Sequence, residues 1–251
     1  MLAPWRTLDE ELARWRDAGR EVEFWWRDDD ACRATPALER LLALATRAGV
    51  PLALAVVPLA AQPQWLAGLS PSVRLLVHGA DHVDRAAAGE KKTEYPASEP
   101  AAQALERLAA ARARLERLAG ARTLAALAPP WNRIAPGLVP QLAAAGFSGL
   151  SRYGARRSAE PTPGLREVNT HVDLVAWRAG RGFVGEAAAL GLAVHHLAAR
   201  RTGAADAAEP TGWLTHHACH DAAAWSFLER LFERTRAAPG VRWRDAAELL
   251  A

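Results

Sequence analysis

An apolar segment that runs straight into three consecutive carboxylates places the strongest constraint on this chain. Residues 24–31 read FWWRDDDA, so Asp28, Asp29 and Asp30 follow an aromatic strand with no turn between them. Like charges this close repel one another, which predicts a cation among them. A solvated acidic turn or a helix cap is the simpler alternative, and the run alone does not decide between the two readings.

Histidines recur where two later apolar segments end. The segment 73–77 is followed by HGADH (78–82), and the segment 212–215 is followed by HHACHD (216–221). Because the carboxyl ends of parallel strands meet at one edge, we expect these side chains to face one centre. The histidines of HGADH are four apart, a spacing that would place both imidazoles on one side of a helical turn. With one Asp they would supply three ligands and leave open positions, as in a catalytic metal site.

Strands and helices alternate along the chain. Apolar runs predict strands at 21–27, 52–57, 73–77, 123–128, 147–151, 167–172 and 212–215. Helical spacing predicts helices at 8–18, 36–48, 99–119, 136–145, 184–200 and 222–236. Repeated βα units with polar residues at the carboxyl ends of strands indicate an α/β fold of the (β/α) barrel type. A doubly wound open sheet is the alternative, but no glycine-rich phosphate loop follows the first strand.

Composition fits one domain of this class. The 251 residues, 50% of them hydrophobic, are enough for one large core, and no linker separates the motifs, so we expect a single domain over residues 1–251. The net charge of +3 comes from arginines mixed with acids, without a nucleic-acid motif, so no nucleic-acid partner is expected. Cys32 and Cys219 form no disulfide framework. Without a signal segment or a membrane span, we expect a cytoplasmic protein with no membrane partner.

Between Phe24 and Asp221 the motifs resemble, in order, those of the polysaccharide deacetylases, the NodB-homology or carbohydrate esterase 4 superfamily. The resemblance implies a distorted (β/α) barrel of the NodB-homology type and a metal-dependent hydrolase. The family's first motif is a strand that ends in Asp-Asp-Gly. It implies Asp28 as the catalytic base and Asp29 as a metal ligand, with Asp30 in place of Gly. A shift of one residue, with Asp29 as base and Asp30 as ligand, stays open because three Asp are present.

Three further motifs imply the rest of the site. The His-x-x-x-His motif matches His78 and His82 and implies that both bind a divalent ion, with Zn²⁺ as the first choice and Co²⁺ or another ion as alternatives. The Leu-x-His motif implies His216 as the general acid. An Asp ahead of a Trp resembles Asp173 and Trp177 and implies contacts with the substrate.

The third motif of the family is only partly matched. Pro130 and Trp131 fit its proline-containing, aromatic-ended loop and imply substrate contacts, but Ala128 stands where the family has Arg. Arg133, or Arg27 beside the Asp run, could restore the positive charge that steadies the base.

The implied reaction is hydrolysis of an N-acyl bond, N-acetyl before others, in a carbohydrate or related small molecule. The metal polarises the carbonyl, an Asp accepts a proton from water, a backbone N–H near Trp131 or Ala80 stabilises the oxyanion, and His216 protonates the leaving nitrogen. Two alternatives remain. One is a cyclic amide or imide hydrolase on the same barrel, and the other is a non-catalytic carbohydrate-binding relative, which the missing Arg favours and the retained acids and histidines disfavour.

The connections 83–104 and 152–166 are long for a barrel and are the candidates for closing over its mouth. Because no export signal is present, we expect a small N-acyl substrate, and arginines in these connections could bind an anionic group on it.

Overall fold

Nine parallel strands form one curled sheet in the computed structural model, which describes residues 3–250 and leaves Met1, Leu2 and Ala251 outside the described residues. The strands are β1 (Val22–Ala31), β2 (Ala53–Val56), β3 (Arg74–Val77), β4 (Thr123–Leu127), β5 (Gly149–Leu150), β6 (Arg166–Glu167), β7 (Val172–Asp173), β8 (Thr211–Thr215) and β9 (Val241–Trp243). Their order is β6-β5-β4-β3-β2-β1-β8-β7, and β9 pairs with the start of β1.

The α-helices accompany this sheet. They are α1 (Ala3–Asp17), α2 (Pro36–Ala48), α3 (Pro63–Gly68), α4 (Ala101–Ala119), α5 (Glu186–Thr202), α6 (Ala222–Ala237) and α7 (Ala246–Leu250). The start of α2 follows the sequence signal closely, since the Thr35 hydroxyl accepts a hydrogen bond from the Leu38 N–H at 3.1 Å and Gly49 ends the helix with φ 60°. No helix among residues 3–250 combines the length and the apolar character needed to cross a bilayer.

β1 lies at the centre of the sheet, between β2 and β8. Successive side chains of a strand point to opposite faces, so Phe24 and Trp26 join the large core against the helices while Trp25 joins a second core on the other face. That second core consists mainly of small residues, and the Trp25 indole there donates to the Asn169 carbonyl at 2.9 Å. Burial on both faces explains why three consecutive residues of β1, Phe24, Trp25 and Trp26, are aromatic.

One extended segment, 166–173, contacts both ends of the sheet. Its first part pairs with β5, where the Val168 N–H donates to the Leu150 carbonyl at 3.0 Å. Its last part pairs with β8, where the His171 N–H donates to the Gly212 carbonyl at 2.7 Å. The expected distorted (β/α) barrel is therefore confirmed, and this segment is the irregular part of its wall.

The sequence prediction differs from the structure in five places. The strand expected at 167–172 is the two short strands β6 and β7 with an irregular bend between them. The expected helix at 136–145 is a 3-10 helix with Pro140 inside it, because proline removes a backbone donor. Helices α3 and α7 and strand β9 were not predicted, since segments of three to six residues are too short for periodicity to identify.

Contact between β8 and segment 166–173 leaves no room for a side chain at Gly212. A Cβ there would lie 2.4 Å from Trp25 Nε1 and 2.5 Å from the Asn169 carbonyl oxygen. We expect Gly212→Ala to lower the free energy of unfolding by about 1–3 kcal/mol through overpacking. Gly191→Ala in α5 is the control, because nothing lies within 4 Å of its Cβ position. Urea denaturation measures both, and equal stability of the two variants would contradict the expectation.

Candidate active site

The three adjacent carboxylates at the end of β1 point to three different sets of partners. The register between β1 and β2 shifts between Asp28 and Ala31, and Asp30 has φ 72°. A left-handed residue other than glycine is uncommon, and together with a register shift it marks a β-bulge. The bulge turns Asp30 away from the alternating pattern of the strand, so the three carboxylates contact different residues.

Asp30 lies beside both histidines of the HGADH motif. Asp30 Oδ1 is 3.1 Å from His78 Nε2 and 3.2 Å from His82 Nε2. Ligands bound to one ion at 2.0–2.1 Å in a tetrahedral arrangement are separated by about 3.3 Å, so the spacing fits one small divalent ion. The Asp30 side chain is 41% exposed, and the cluster therefore opens to solvent.

The hydrogen bonding of His78 also fits a metal ligand. Its Nδ1 lies 2.8 Å from the Ala128 carbonyl oxygen, which can only accept, so Nδ1 carries the proton. In the neutral ring, Nε2 then offers its lone pair toward Asp30 and His82. A second partner that fixes the tautomer in this way is typical of histidines that bind metals.

The two histidines meet through a loop and not through a helical turn, as their spacing had suggested. Gly79 has φ 65° and His82 has φ 58°, and residues 78–82 form no helix. A Cβ at Gly79 would lie 2.1 Å from Glu94 Oε2 and 2.7 Å from Pro130 Cγ, so only glycine fits this position.

Glu94 holds this loop in place. Its fully buried carboxylate accepts hydrogen bonds from the Ala80 N–H at 2.8 Å, the His82 N–H at 3.1 Å and the Tyr95 hydroxyl at 2.8 Å. Glu94 was not predicted as a site residue. No local pattern distinguishes it, because its role depends on the chain returning to the HGADH loop. Since the Ala80 N–H is engaged here, Trp131 remains the candidate for the oxyanion donor.

Asp29 pairs with Arg27, two residues before it on the same face of β1. Arg27 Nε and Nη2 donate to the two Asp29 oxygens at 2.8 Å and 3.0 Å. Arg27 also donates from Nη1 to the Ser151 carbonyl and hydroxyl oxygens at 2.9 Å and 2.7 Å, and from Nη2 to Asn132 Oδ1 at 2.6 Å. Arg133 and Arg27 were the two candidates to supply the positive charge of the family's Arg, which is Ala128 here. Of the two, Arg27 contacts an Asp. Arg133 instead donates to the Lys92 carbonyl.

Asp28 faces the end of β8. Its carboxylate accepts from the Thr215 hydroxyl at 2.7 Å and from the ring Nδ1–H of His217 at 2.5 Å. Burial alone would lower the pKa of His217, and the negative charge of Asp28 more than offsets this, so the pKa is raised above its usual value. Asp28 is fully buried and turned away from the two metal-ligand candidates among the histidines.

His216 lies between two carboxylates at the mouth of the barrel. Its Nε2 is 4.0 Å from Asp29 Oδ2 and its Nδ1 is 4.0 Å from Asp173 Oδ1. Trp177 meets the His216 ring edge-on at 4.7 Å and donates from Nε1 to Asp173 Oδ2 at 2.7 Å. Burial raises the pKa of Asp173. The structure thus brings His216, the acid that the resemblance implies, together with Asp173 and Trp177.

On the opposite side of the cluster, Trp131 lies against His82 with ring centroids 4.4 Å apart. Trp131 has φ 54°, a strained conformation that orients its ring toward the mouth. Pro130 is buried beneath it. Trp131 and Trp177, the latter 44% exposed, therefore flank the cluster from two sides.

Other histidines are structural. His171 and His196 stack at 3.4 Å beside the buried Glu209, but His171 Nδ1 accepts the Gly212 N–H at 3.0 Å, which places its proton on Nε2 and leaves no lone pair toward this group. His220 packs edge-on against Trp225, and burial lowers its pKa to about 4. Residues 216–221 belong to neither of the two candidate metal clusters among residues 3–250.

The arginines of the 152–166 connection were candidates to bind an anionic substrate. Arg152 instead donates to the Glu167 carboxylate at 2.9 Å, and Arg156 donates to Asp206 at 2.9 Å. These two arginines stabilise the wall of the barrel.

Two pairings of base and metal ligand were open from sequence. The distances favour the shifted one, because Asp30 lies in the histidine cluster while Asp29 is held by Arg27 and faces His216.

Solved structures similar in fold to this chain include proteins described as deacetylases. A putative polysaccharide deacetylase from Mycobacterium smegmatis is similar at TM-score 0.60 and 15% identity, over 92% of this chain and 89% of that one. A probable polysaccharide deacetylase from Pseudomonas aeruginosa gives TM-score 0.59 and 17% identity, over 93% and 91%. The Bc1960 peptidoglycan N-acetylglucosamine deacetylase gives 0.56 and 13%, over 92% and 88%. No protein-family model and no curated protein matches the sequence.

Removing the Glu94 carboxylate should weaken metal binding without touching a ligand. We expect Glu94→Ala to lower the affinity for a divalent ion by about ten- to hundredfold, as losses of supporting hydrogen bonds do. Glu99→Ala is the control, since Glu99 pairs with Arg107 on the neighbouring segment. Metal titration by calorimetry measures both, and an unchanged affinity in the folded Glu94 variant would show that the loop holds its shape alone.

Proposed function

We propose that this chain, which has the fold of the polysaccharide deacetylases, is a divalent-metal-dependent hydrolase that removes an N-acetyl group from a carbohydrate. The observation that carries the proposal is the Asp30–His78–His82 cluster, open to solvent and flanked by Asp29 and His216. A possible metal site, a candidate base and a candidate acid thus share one mouth. The similarity in fold to a structure described as a peptidoglycan N-acetylglucosamine deacetylase supports the same reaction class.

Asp30, His78 and His82 would hold the ion. Two imidazoles and one carboxylate suit Zn²⁺ or Co²⁺ better than Mg²⁺ or Ca²⁺, which prefer oxygen ligands. When bound, the ion lowers the pKa of water and polarises a carbonyl group.

Asp29 is our candidate for the base. Its carboxylate is held in one orientation by Arg27, which positions it to accept a proton from the attacking water. His216 is the candidate acid that protonates the leaving nitrogen. His216 Nε2 lies 4.0 Å from Asp29 Oδ2, beyond hydrogen-bond distance, so the acid and the base are close together without being bonded to each other.

Trp131, Pro130, Asp173 and Trp177 would form the walls of the substrate site. Aromatic faces on both sides of a metal cluster suit a sugar ring and its acetyl methyl group, since both present apolar C–H surfaces. The exposed indole of Trp177 is anchored by Asp173 and so costs little ordering entropy on binding.

Acetate release tests the proposal. Purified protein loaded with Zn²⁺ or Co²⁺ should release acetate from at least one member of a panel of N-acetyl sugars, sugar phosphates, chitin oligomers and peptidoglycan, and a chelator should abolish the release. Release of a ring-opened product from cyclic imides would favour the alternative hydrolase. Stoichiometric sugar binding without turnover would favour the non-catalytic module.

Substitution of the two adjacent carboxylates separates their roles. We expect Asp30→Asn to lose metal, because one of three ligands is gone, and Asp29→Asn to keep metal while kcat falls by at least about a hundredfold, as for a general base. Metal content by atomic absorption and kcat from acetate release give the two readouts. Loss of metal from the Asp29 variant, with metal retained in the Asp30 variant, would restore the unshifted pairing.

A further inference from the structure

The shifted pairing leaves Asp28 without a part in the chemistry. It is nevertheless fully buried, and each carboxylate oxygen accepts hydrogen bonds. A buried charge is costly unless donors surround it, so a carboxylate kept at this position must be held by what it contacts. All of these donors come from residues 215 and 217 at the end of β8.

The first donor is the Thr215 hydroxyl, at 2.7 Å from Asp28 Oδ2. Thr215 Oγ1 also accepts the indole N–H of Trp26 at 2.9 Å. An indole nitrogen can only donate, and Asp28 Oδ2 at 2.7 Å is much closer to the hydroxyl than the Arg27 carbonyl oxygen at 3.5 Å, so the single hydroxyl proton of Thr215 is directed at Asp28. Register pairs Asp28 with Thr215 across the two strands, and the side chains thus reinforce the strand pairing at its last residue.

The other two donors belong to His217. Its backbone N–H lies 3.0 Å from Asp28 Oδ2 and its ring Nδ1 lies 2.5 Å from Asp28 Oδ1. One carboxylate therefore fixes the backbone and the side chain of this residue together. His217 is itself buried, at 4% exposure, which shields these bonds from water.

His216 stands between the two anchored residues. With Thr215 and His217 held by one carboxylate, the backbone at His216, with φ −137° and ψ 92°, has little freedom to turn its ring. Asp29 is the next residue after Asp28 on β1. The same side chain therefore controls how far the ring of His216 lies from Asp29.

We propose that Asp28 is a positioning residue that sets the distance between the candidate acid His216 and the candidate base Asp29. This inference rests on the proposed function for its catalytic consequence and on hydrogen-bond geometry for its structural one. Asp28 reaches no reacting atom and transfers no proton in the reaction.

A carboxylate suits this task better than its amide. Asp28 receives three donors on two oxygens, whereas Asn offers one oxygen and would turn its NH₂ group toward one of those donors. Asp28→Asn should therefore loosen the end of β8 while leaving the metal cluster intact.

Kinetics of Asp28→Asn test the proposal. We expect full metal content, a KM within about twofold of the parent and a kcat lowered by about ten- to hundredfold, since a misplacement of about 1 Å costs on this scale. The pH profile of kcat/KM should keep both limbs, with the limb of His216 displaced. A kcat within twofold in the folded, metal-loaded variant overturns the proposal. A complete loss of turnover in Asp28→Asn also overturns the proposal if Asp29→Asn remains active, because Asp28 would then be the base.

Thr215 provides a milder pair of variants in case Asp28→Asn does not fold. Thr215→Val removes one donor at nearly constant shape and should lower kcat in the same direction, whereas Thr215→Ser keeps the hydroxyl and should restore it. Glu11→Gln is the matched control: Glu11 is a fully buried carboxylate bound by Arg14 and Arg201 on α1 and α5, so its loss should affect stability and leave kcat unchanged. Equal kcat in the Val and Ser variants would count against the proposal.

A structural readout keeps this inference separate from the proposed function. If no substrate releases acetate, the imidazole NMR signals of His216 still report its surroundings in the metal-loaded parent and in Asp28→Asn. We expect these signals to shift or broaden in the variant, while those of His171 and His196 stay in place. Unchanged His216 signals would overturn the positioning role whatever the enzyme's substrate is.

Discussion

The buried guanidinium of Arg27 is the interaction on which the mouth of the barrel depends. A fully buried arginine is tolerated only when its donors are used, and Arg27 uses them on Asp29, Ser151 and Asn132. These residues lie on β1 and just beyond the ends of β5 and β4. One side chain thus joins three strand ends and at the same time fixes the orientation of Asp29. Its removal would leave an uncompensated carboxylate at the centre of the site.

The β-bulge at Asp30 is the second requirement. Alternation alone would put Asp28 and Asp30 on one face of β1 and Asp29 on the other. The bulge instead gives each carboxylate its own partners: Asp28 has Thr215 and His217, Asp29 has Arg27, and Asp30 has the histidine cluster. The repulsion among the three Asp predicted a cation among them. In the structure each carboxylate instead has its own set of partners. The strained backbone at Asp30, with φ 72°, directs its carboxylate toward the histidine cluster.

The sequence predicted the alternation of strands and helices and the meeting of the strands' carboxyl ends, because apolar runs and βα alternation are local patterns. It could not choose among the three Asp, since a bulge depends on pairing with β2 and leaves no mark in the residue types. The prediction that the two histidine rings lie together was correct, but the helical turn on which it was based was wrong. A glycine-dependent loop brings the rings together. Glu94 was missed because its partners lie 12 to 14 residues away along the chain.

The replacement of the third-motif arginine bears on whether this chain retained chemistry. A buried ion pair adds little stability and can often be replaced by apolar side chains without loss. In a non-catalytic binding module, the pairing of Arg27 with Asp29 would therefore bring no evident gain in stability. Ala128 stands where the family has its Arg, so the pair does not reproduce the family's own contact. The positive charge here comes from Arg27 on β1 itself. Arg27 and the three carboxylates that follow it, Asp28, Asp29 and Asp30, form one continuous segment. In the proposed function this segment supplies the base and its cation, binds the metal and positions the acid. Ionisable groups gathered in this way are typical of catalytic sites, and the arrangement therefore supports the proposed enzyme over a binding module.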